Sequence, residues 1–333
     1  MNIAIVGATG NVGRKLLEVI EKINFEFDQL YLIASDQSIG KKISFKNKDY
    51  SLIGLNDFDF SKVQISFFSA GSTIAEKWAP IAAKKSIVID NSKHFRMDKD
   101  IPLVVPEVNP ESLAQYKNKN IIANANCSTI QLVLALKPLH DQFKIKRVVT
   151  STYQSVSGGG KNHMMELEDQ TKSVLENKKV QSKNFTKQIA FNVIPHIDSF
   201  MTDGSTKEEW KMVAETKKIL DPGIKLTATC VRVPVFVGHA EAINVEFDGE
   251  VTEKQIRNTL KSTSGITIVD NRVDEGYVTP AECAGEDDIY VSRIRMDPTI
   301  DNGVNIWVVA DNLRKGAALN TVQIAEELIR SHL

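Results

Sequence analysis

"NIAIVGATGNVGRKLLEVIEKI", residues 2–23, decides the fold. The run "IAIV" is strand-like, and from Asn11 onward apolar residues recur at helical spacing. Between them stand Gly7, Gly10 and Gly13, spaced G-x-x-G-x-x-G. Glycines at such a junction permit a tight turn, let backbone approach a pyrophosphate, and allow a helix to pack closely on a strand. The spacing differs from the G-x-G-x-x-G fingerprint, so a plain glycine turn is the competing reading until context is weighed.

That context repeats the pattern. "LYLIA" (30–34), "ISFFSA" (65–70) and "SIVID" (86–90) are strand-like, with a helical pattern in "TIAEKWAPIAAKK" between the last two. Strands alternating with helices and apolar on both faces imply a parallel α/β sheet. Beyond about residue 128 the strands lengthen and partly alternate: "IKRVVTSTYQ", "KLTATCVRVPVFV", "AEAINVEF", "IYVSRIRM" and "VNIWVVADN". Helical stretches at 161–176, 206–220 and 252–262 separate them, which implies an α+β domain with an antiparallel or mixed sheet and helices on one face. "GAALNTVQIAEELIRSHL" ends the chain as one more amphipathic helix, and "ENKKVQSKNFTKQ" (176–188) reads as a polar surface excursion.

A chain of 333 residues fits about two domains. With 41 Lys+Arg against 42 Asp+Glu, the balance argues against a general nucleic-acid or membrane-surface binder. Apolar runs are strand-length, and Met1 leads into the first strand without a charged region or a long apolar one, so a cytoplasmic protein is expected. Three widely spaced cysteines and six scattered histidines suit a reducing compartment and form no metal-ligand spacing.

In "IIANANCSTIQLVLALKPLH" (121–140) a polar Asn-Ala-Asn run stops at Cys127, where an apolar helix begins. A thiol on the first helical turn lies among outward-pointing N–H groups and the positive end of the dipole, a setting that favours the thiolate. The bland alternative is a small buried hydrophobe. "VRVPVFVGHAEA" sets Arg232 and His239 seven residues apart around a Pro and a Gly, where a loop would deliver them to a cleft; a lone histidine is otherwise a structural residue. "TYQSVSGGGK" joins strand to helix through three glycines, and "SKHFRMD" carries Arg96 in a loop. Glu208 and Lys211 share a helix face at i and i+3. Ser205-x-x-Glu208 and Thr206-x-x-Glu209 are both capping-box patterns, and only the second leaves Glu208 available. After "LYLIA", the segment "SDQSIGKK" offers Asp36 for ribose hydroxyls, or Ser35, Ser38, Lys41 and Lys42 for a 2′-phosphate.

"GATGNVG", "FRMDKDIPLVVPEVN", "NANCSTIQLVLALKPL", "YQSVSGGGK", "EEWKMVAETKKIL", "RVPVFVGH" and "DNLRKGAALNT" together resemble the aspartate-β-semialdehyde dehydrogenase family, in order and over nearly the whole chain. The resemblance implies a Rossmann-like nucleotide-binding domain (1–127 with 312–333), on which the C-terminal helix packs, and a catalytic and dimerisation domain (128–311). It implies Cys127 as nucleophile and His239 as acid/base, with Asn126 and Gln154 positioning the acyl group and stabilising the oxyanion. Arg96 and Lys211 would hold phosphate, Arg232 the substrate carboxylate and Glu208 its ammonium. NADP would lie on Gly7, Thr9, Gly10, Asn11, Val12, Gly13, Ser35, Gln37, Ser38, Ala70, Gly71, Ser72, Ser157, Gly158 and Asn312. No metal is implied. The assembly would be a homodimer or dimer-based tetramer.

Three positions depart from the family pattern. Gln37 stands where many members carry an arginine near the 2′-phosphate, which keeps NAD open, while Ala125 and Val278 replace common prolines. The implied reaction is the phosphate-dependent, reversible interconversion of L-aspartate 4-semialdehyde and L-aspartyl 4-phosphate through a cysteine thioester, a step in making lysine, threonine, methionine and isoleucine. A rival is N-acetyl-γ-glutamyl-phosphate reductase, disfavoured by Glu208 because an acetamide needs no carboxylate partner. A non-catalytic nucleotide-binding regulator would explain the glycines but not Cys127, Gln154, Arg232 and His239 together.

Overall fold

The computed structural model describes all residues, Met1–Leu333, and the chain divides into two compact units, 1–125 with 317–333 and 126–316. The first is an α/β unit. β1 (Asn2–Val6), α1 (Asn11–Lys22), β2 (Gln29–Ala34), the hairpin β3 (Lys42–Phe45) and β4 (Lys48–Gly54), β5 (Ile65–Phe68), α2 (Ser72–Ala82), β6 (Ile87–Asp90), β7 (Leu103–Val104) and β8 (Ile121–Asn124) follow in order. The sheet runs β3-β4-β2-β1-β5-β6-β8-β7, parallel throughout except for β3 against β4. Its four central strands read as near-continuous apolar runs because helices cover both faces. Ile3, Ile5, Phe67 and Ile89 pack with Leu16 and Ile20 of α1 in one core.

The C-terminal helix, Leu319–His332, belongs to this unit: Leu319, Val322 and Leu328 join the same core. Polar pins fix its register. Asn320 Nδ2 donates to Asn124 Oδ1 at 2.6 Å, and the Thr321 hydroxyl donates to Asn91 Oδ1 at 2.7 Å.

The hairpin β3–β4 carries no strong sequence signal. Its turn is Lys46-Asn47, both at positive φ (47° and 60°), where Asn-Gly would have announced it.

The second unit comprises α3 (Cys127–Phe143), β9 (Ile145–Gln154), α4 (Lys161–Leu175), α5 (Lys207–Ile219), β10 (Lys225–Arg232), β11 (His239–Phe247), α6 (Glu253–Lys261), β12 (Ile266–Ile268), the single turn α7 (Pro280–Cys283), β13 (Ile289–Met296) and β14 (Gly303–Ala310). Its mixed sheet runs β10-β9-β11-β14-β13-β12, with β10/β9 and β12/β13 parallel and the other pairs antiparallel. α3, α5 and α6 pack on one face. The opposite face leaves Ser151, Ala242, Asn244, Asn305 and Trp307 half-buried and Tyr153 exposed. There Val149, Tyr277, Arg293 and Trp307 line a groove of about 540 Å³.

Asn126 and Cys127 fall in the second unit, because α3 buries its residues against that sheet, and the chain returns to the first unit at Ala317 rather than at 312. No helix is long and apolar enough to cross a membrane.

Candidate active site

In the first unit, the end of β1 and the start of α1 form a helix N-terminus with Gly10 as its cap residue. The close approach needs glycine. A Cβ on Gly13 would lie 2.2 Å from the Gly7 carbonyl oxygen, and one on Gly7 (φ +90°) would meet the Ser69 backbone at 2.8 Å. Gly7, Thr9, Gly10, Ser35 and Ala70 line a cleft of about 510 Å³, together with Leu55, Ile74 and Trp78, which reading of the sequence missed. Backbone N–H groups at a helix start, beside an apolar slot, fit a dinucleotide's pyrophosphate and a flat base. Asp36 lines this cleft too; Gln37 and Ser38 follow it in one turn of 3₁₀ helix and do not line it. Asn11, Val12, Gly13, Gly71 and Ser72 lie around the two helix starts, α1 and α2.

Arg96 also belongs to the first unit, in the loop after β6, where its guanidinium is buried and donates to the Asn91 carbonyl at 3.1 Å.

The second unit gathers most of the remaining candidates at one end of its sheet. β9 and β10 run parallel and end at Gln154 and Arg232, paired in register, while antiparallel β11 begins at His239. Cys127 is the first residue of α3, and Asn126 caps that helix, its Oδ1 accepting from the Ser128 and Thr129 N–H groups at 3.0 and 3.3 Å. The Asn126 Nδ2 donates to Glu208 Oε1 at 2.9 Å. Gln154 Nε2 donates to the same oxygen at 3.1 Å and also to the hydroxyl of Ser128, next to Cys127.

The capping choice left open by sequence is resolved at α5. Thr206 caps: its hydroxyl accepts from Glu209 N–H at 3.3 Å, and its own N–H donates to Glu209 Oε2 at 2.7 Å. Glu208 is therefore released to the site, where it pairs with Lys211 at 2.5 Å; Lys211 also reaches Asp198 at 3.3 Å. Burial alone would raise the Glu208 carboxyl, but Lys211 and the amides of Asn126 and Gln154 reverse this and hold it at about 2. It is a buried carboxylate.

His239 is fully buried. Its Nδ1 accepts from the Ser155 backbone N–H at 3.0 Å and lies 3.0 Å from the Ser155 hydroxyl. Its Nε2 has no hydrogen-bond partner. Desolvation first, and then the Arg232 cation, lower this imidazole to about 3. Arg232 Nη1 donates to the Ser155 carbonyl at 2.6 Å, and burial lowers its pKa. Gly158 closes over both: a Cβ there would lie 3.1 Å from Arg232 Nη1 and 3.2 Å from His239 Nε2.

Ser157 and Asn312, expected at the cofactor, are buried and bonded to each other. Asn312 Oδ1 accepts from Gly238 N–H, the Ser155 hydroxyl and the Ser157 hydroxyl at 2.9, 3.0 and 3.1 Å. Its Nδ2 donates to the Ser157 oxygen at 2.9 Å.

The three cysteines form no disulfide. Cys127 is partly exposed, whereas Cys230 and Cys283 are buried and desolvation pushes both thiols up, Cys283 to about 12. Two further residues belong to the cluster. Glu215 Oε2 accepts from the Asn126 N–H at 2.6 Å, and it was legible in part: Glu208, Lys211, Met212 and Glu215 follow i, i+3, i+4, i+7 on one helix face. Ser155 carried no signal beyond its place in a glycine-rich loop.

A nucleotide-binding α/β unit, with a second unit that carries a helix-start cysteine, a buried histidine and an acid–lysine pair, fits a semialdehyde dehydrogenase. Family models agree: residues 2–116 match "Semialdehyde dehydrogenase, NAD binding domain" and residues 136–315 "Semialdehyde dehydrogenase, dimerisation domain". The aspartate-semialdehyde dehydrogenase of Aquifex aeolicus is 51% identical over 99% of this chain and 98% of its own length. The structure of aspartate semialdehyde dehydrogenase II of Vibrio cholerae, complexed with ASA, superposes with a TM-score of 0.97 at 50% identity, covering 100% of this chain and 99% of that one. The Candida albicans enzyme with NADP gives a TM-score of 0.76 at 27% identity over 98% of each chain. The chain belongs to the aspartate-semialdehyde dehydrogenase family.

Proposed function

We propose that this protein interconverts L-aspartate 4-semialdehyde and L-aspartyl 4-phosphate, drawing on a nicotinamide cofactor and inorganic phosphate. The observation that carries the reading is Glu208, a buried carboxylate bonded to the cap residue of the helix that Cys127 begins. An amino-acid ammonium beside a nucleophilic thiol needs such a group; the acetamide of an N-acetylated substrate does not, and a non-catalytic regulator needs neither.

In this reading the Cys127 thiolate attacks the aldehyde carbon, and the helix N-terminus and the amides of Asn126 and Gln154 stabilise the oxyanion. A nicotinamide, when bound, would supply the hydride acceptor, and Cys127 would then carry the acyl group as a thioester. Phosphate, held by Arg96 and Lys211, then cleaves it. His239 is the acid–base group at the substrate oxygen, and Arg232 binds the carboxylate at the substrate's fixed end. Ser157, Gly158 and Asn312 remain candidates for contact with the cofactor.

NADP is the expected cofactor, with a smaller margin over NAD because Gln37 offers hydrogen bonds where an arginine would offer charge. Support comes from the Candida albicans complex with NADP. We take the working form to be a homodimer, alone or paired into a tetramer, in the cytoplasm. The description of the matched dimerisation domain and the half-buried aromatic face of its sheet support the dimer.

Mass spectrometry tests the chemistry. Semialdehyde and NADP without phosphate should leave one acyl group on Cys127, removed when phosphate is added. An acyl group elsewhere, or none, would overturn the assignment.

A further inference from the structure

Gly316 stands inside a helical run, "RKGAALN" (314–320), where alanine is the better helix former and two alanines follow. It does not adopt a positive φ, so its own backbone asks for no glycine. Its neighbour Cys127 does. A Cβ on Gly316 would lie 2.8 Å from Cys127 Cβ, 3.2 Å from its Cα and 3.5 Å from its carbonyl oxygen. Carbon atoms meet at about 3.5–4.0 Å, so a methyl there would displace either Cys127 or the turn by about 1 Å. The sulfur is not among the nearest atoms, so Gly316 backs the Cα–Cβ bond and leaves the thiol side open.

The turn that carries Gly316 is held on its other side. Arg314–Ala318 is one turn of π-helix, and the Gly316 N–H donates to the Asp311 carbonyl, five residues back, at 3.2 Å. Asp311 is buried. Its Oδ1 accepts from the Leu313 and Arg314 N–H groups at 2.8 and 3.1 Å, and its Oδ2 from the Gly285 N–H at 2.8 Å. Buried Arg314 donates through Nε to Asp287 Oδ1 at 2.7 Å. Two side chains thus pin the turn to Gly285 and Asp287, ahead of β13. Cys127, by contrast, is the first residue of its helix and partly exposed. A methyl at position 316 would move the cysteine, not the turn.

We infer that Gly316 is a positioning residue for Cys127, its bare backbone fixing where the start of α3 seats and hence where the thiol stands. The inference rests on the proposed reaction, in which Cys127 is the nucleophile, and adds a residue that acts on it through packing alone. Attack needs sulfur and carbon at contact distance on an aligned path, and a misplacement of about 1 Å costs on the order of a hundredfold in rate. The glycine that weakens this helical run is what lets the nucleophile seat against it.

Three readouts on the full-length enzyme test this. Gly316→Ala should lower kcat roughly ten- to a hundredfold, with KM for the semialdehyde changed far less, because Glu208 and Arg232 stay in place. In the same variant, alkylation of Cys127 by iodoacetamide, which needs neither substrate nor cofactor, should slow severalfold. Its pH profile should shift upward as the sulfur moves off the N–H groups of the helix start. Gly316→Ala should also lower Tm in the parent, yet leave it unchanged or raise it in a Cys127→Gly background, where no Cβ is left to strike. Unchanged kcat and alkylation rate, or an equal fall in Tm in both backgrounds, would overturn the inference. Should Gly316→Ala fold only with Cys127→Gly, the contact is established; should it fold in neither background, the clash lies elsewhere and the inference falls. Full activity in Cys127→Ala would instead overturn the covalent reaction and leave the alkylation and melting arms standing, which separates the two failures.

Discussion

Asn126 ties two elements together: its Oδ1 caps the helix that starts at Cys127, and its Nδ2 donates to Glu208 Oε1 on α5 at 2.9 Å. One side chain thus fixes the helix start and the acid at once. Asn126→Ala should cost about 1–2 kcal/mol through the lost cap and the lost donor. Asn126→Asp keeps a capping oxygen but sets a second carboxylate against Glu208, so its Tm should fall further than that of the alanine variant. Thermal melts read this directly, and an aspartate variant as stable as the parent would contradict it.

Cys127→Ala should abolish turnover and leave the melting curve intact. A brief pulse of iodoacetamide should alkylate Cys127 ahead of Cys230 and Cys283, whose thiols are buried and held protonated by desolvation. Peptide mapping gives the order. Activity retained by the alanine variant would remove the covalent step from the mechanism.

His239 makes stability fall on acidification. Its folded pKa, about 3, lies below the ordinary 6.5, so on acidification the unfolded ring takes up a proton that the folded ring refuses. Its contribution is complete above about pH 6.5 and is lost as pH falls toward 3, by at most about 1.4 kcal/mol per pH unit. Glu208, held at about 2 against an ordinary 4.5, adds a loss of the same sign at lower pH. His239→Asn should therefore flatten the stability curve between pH 6.5 and 5 in urea titrations. An unchanged slope would show that this ring is protonated in the folded protein.

Much of this was legible beforehand. Strand, glycine turn and helix at residues 2–22, the helix at Cys127 and the strand ending at Gln154 follow from periodicity and turn chemistry, which act locally. "KLTATCVRVPVFV", by contrast, ends as a strand at Arg232, short of Pro234, and not at Val237. β3 and β4 escaped because Lys46-Asn47 is a weak hairpin signal. β7, β8 and β12 escaped as short segments whose identity comes from their neighbours in the sheet. Whether Thr206 or Ser205 caps α5 turns on loop geometry, not on composition. Ser155 is hydrogen-bonded to Asn312, 157 residues away, a relation no local pattern encodes.

Cofactor choice is a contest at the end of β2. Asp36 lines the nucleotide cleft, where a carboxylate suits ribose hydroxyls and repels a 2′-phosphate. Gln37 and Ser38 offer the phosphate only neutral bonds. We expect NADP to be preferred by a modest ratio in kcat/KM, and Gln37→Arg to widen it severalfold by restoring a forked cation. A clear preference for NAD in the parent enzyme would assign the ribose to Asp36 and discard the NADP reading.

The central claim is that a thioester on Cys127 is cleaved by phosphate. Its most direct measurement is formation of reduced cofactor from L-aspartate 4-semialdehyde, followed through the first turnover and beyond, with and without inorganic phosphate. We predict sustained turnover only with phosphate, and without it a burst of about one reduced cofactor per active subunit. Equal steady rates in both conditions, or no reduction of cofactor in either, would contradict the account.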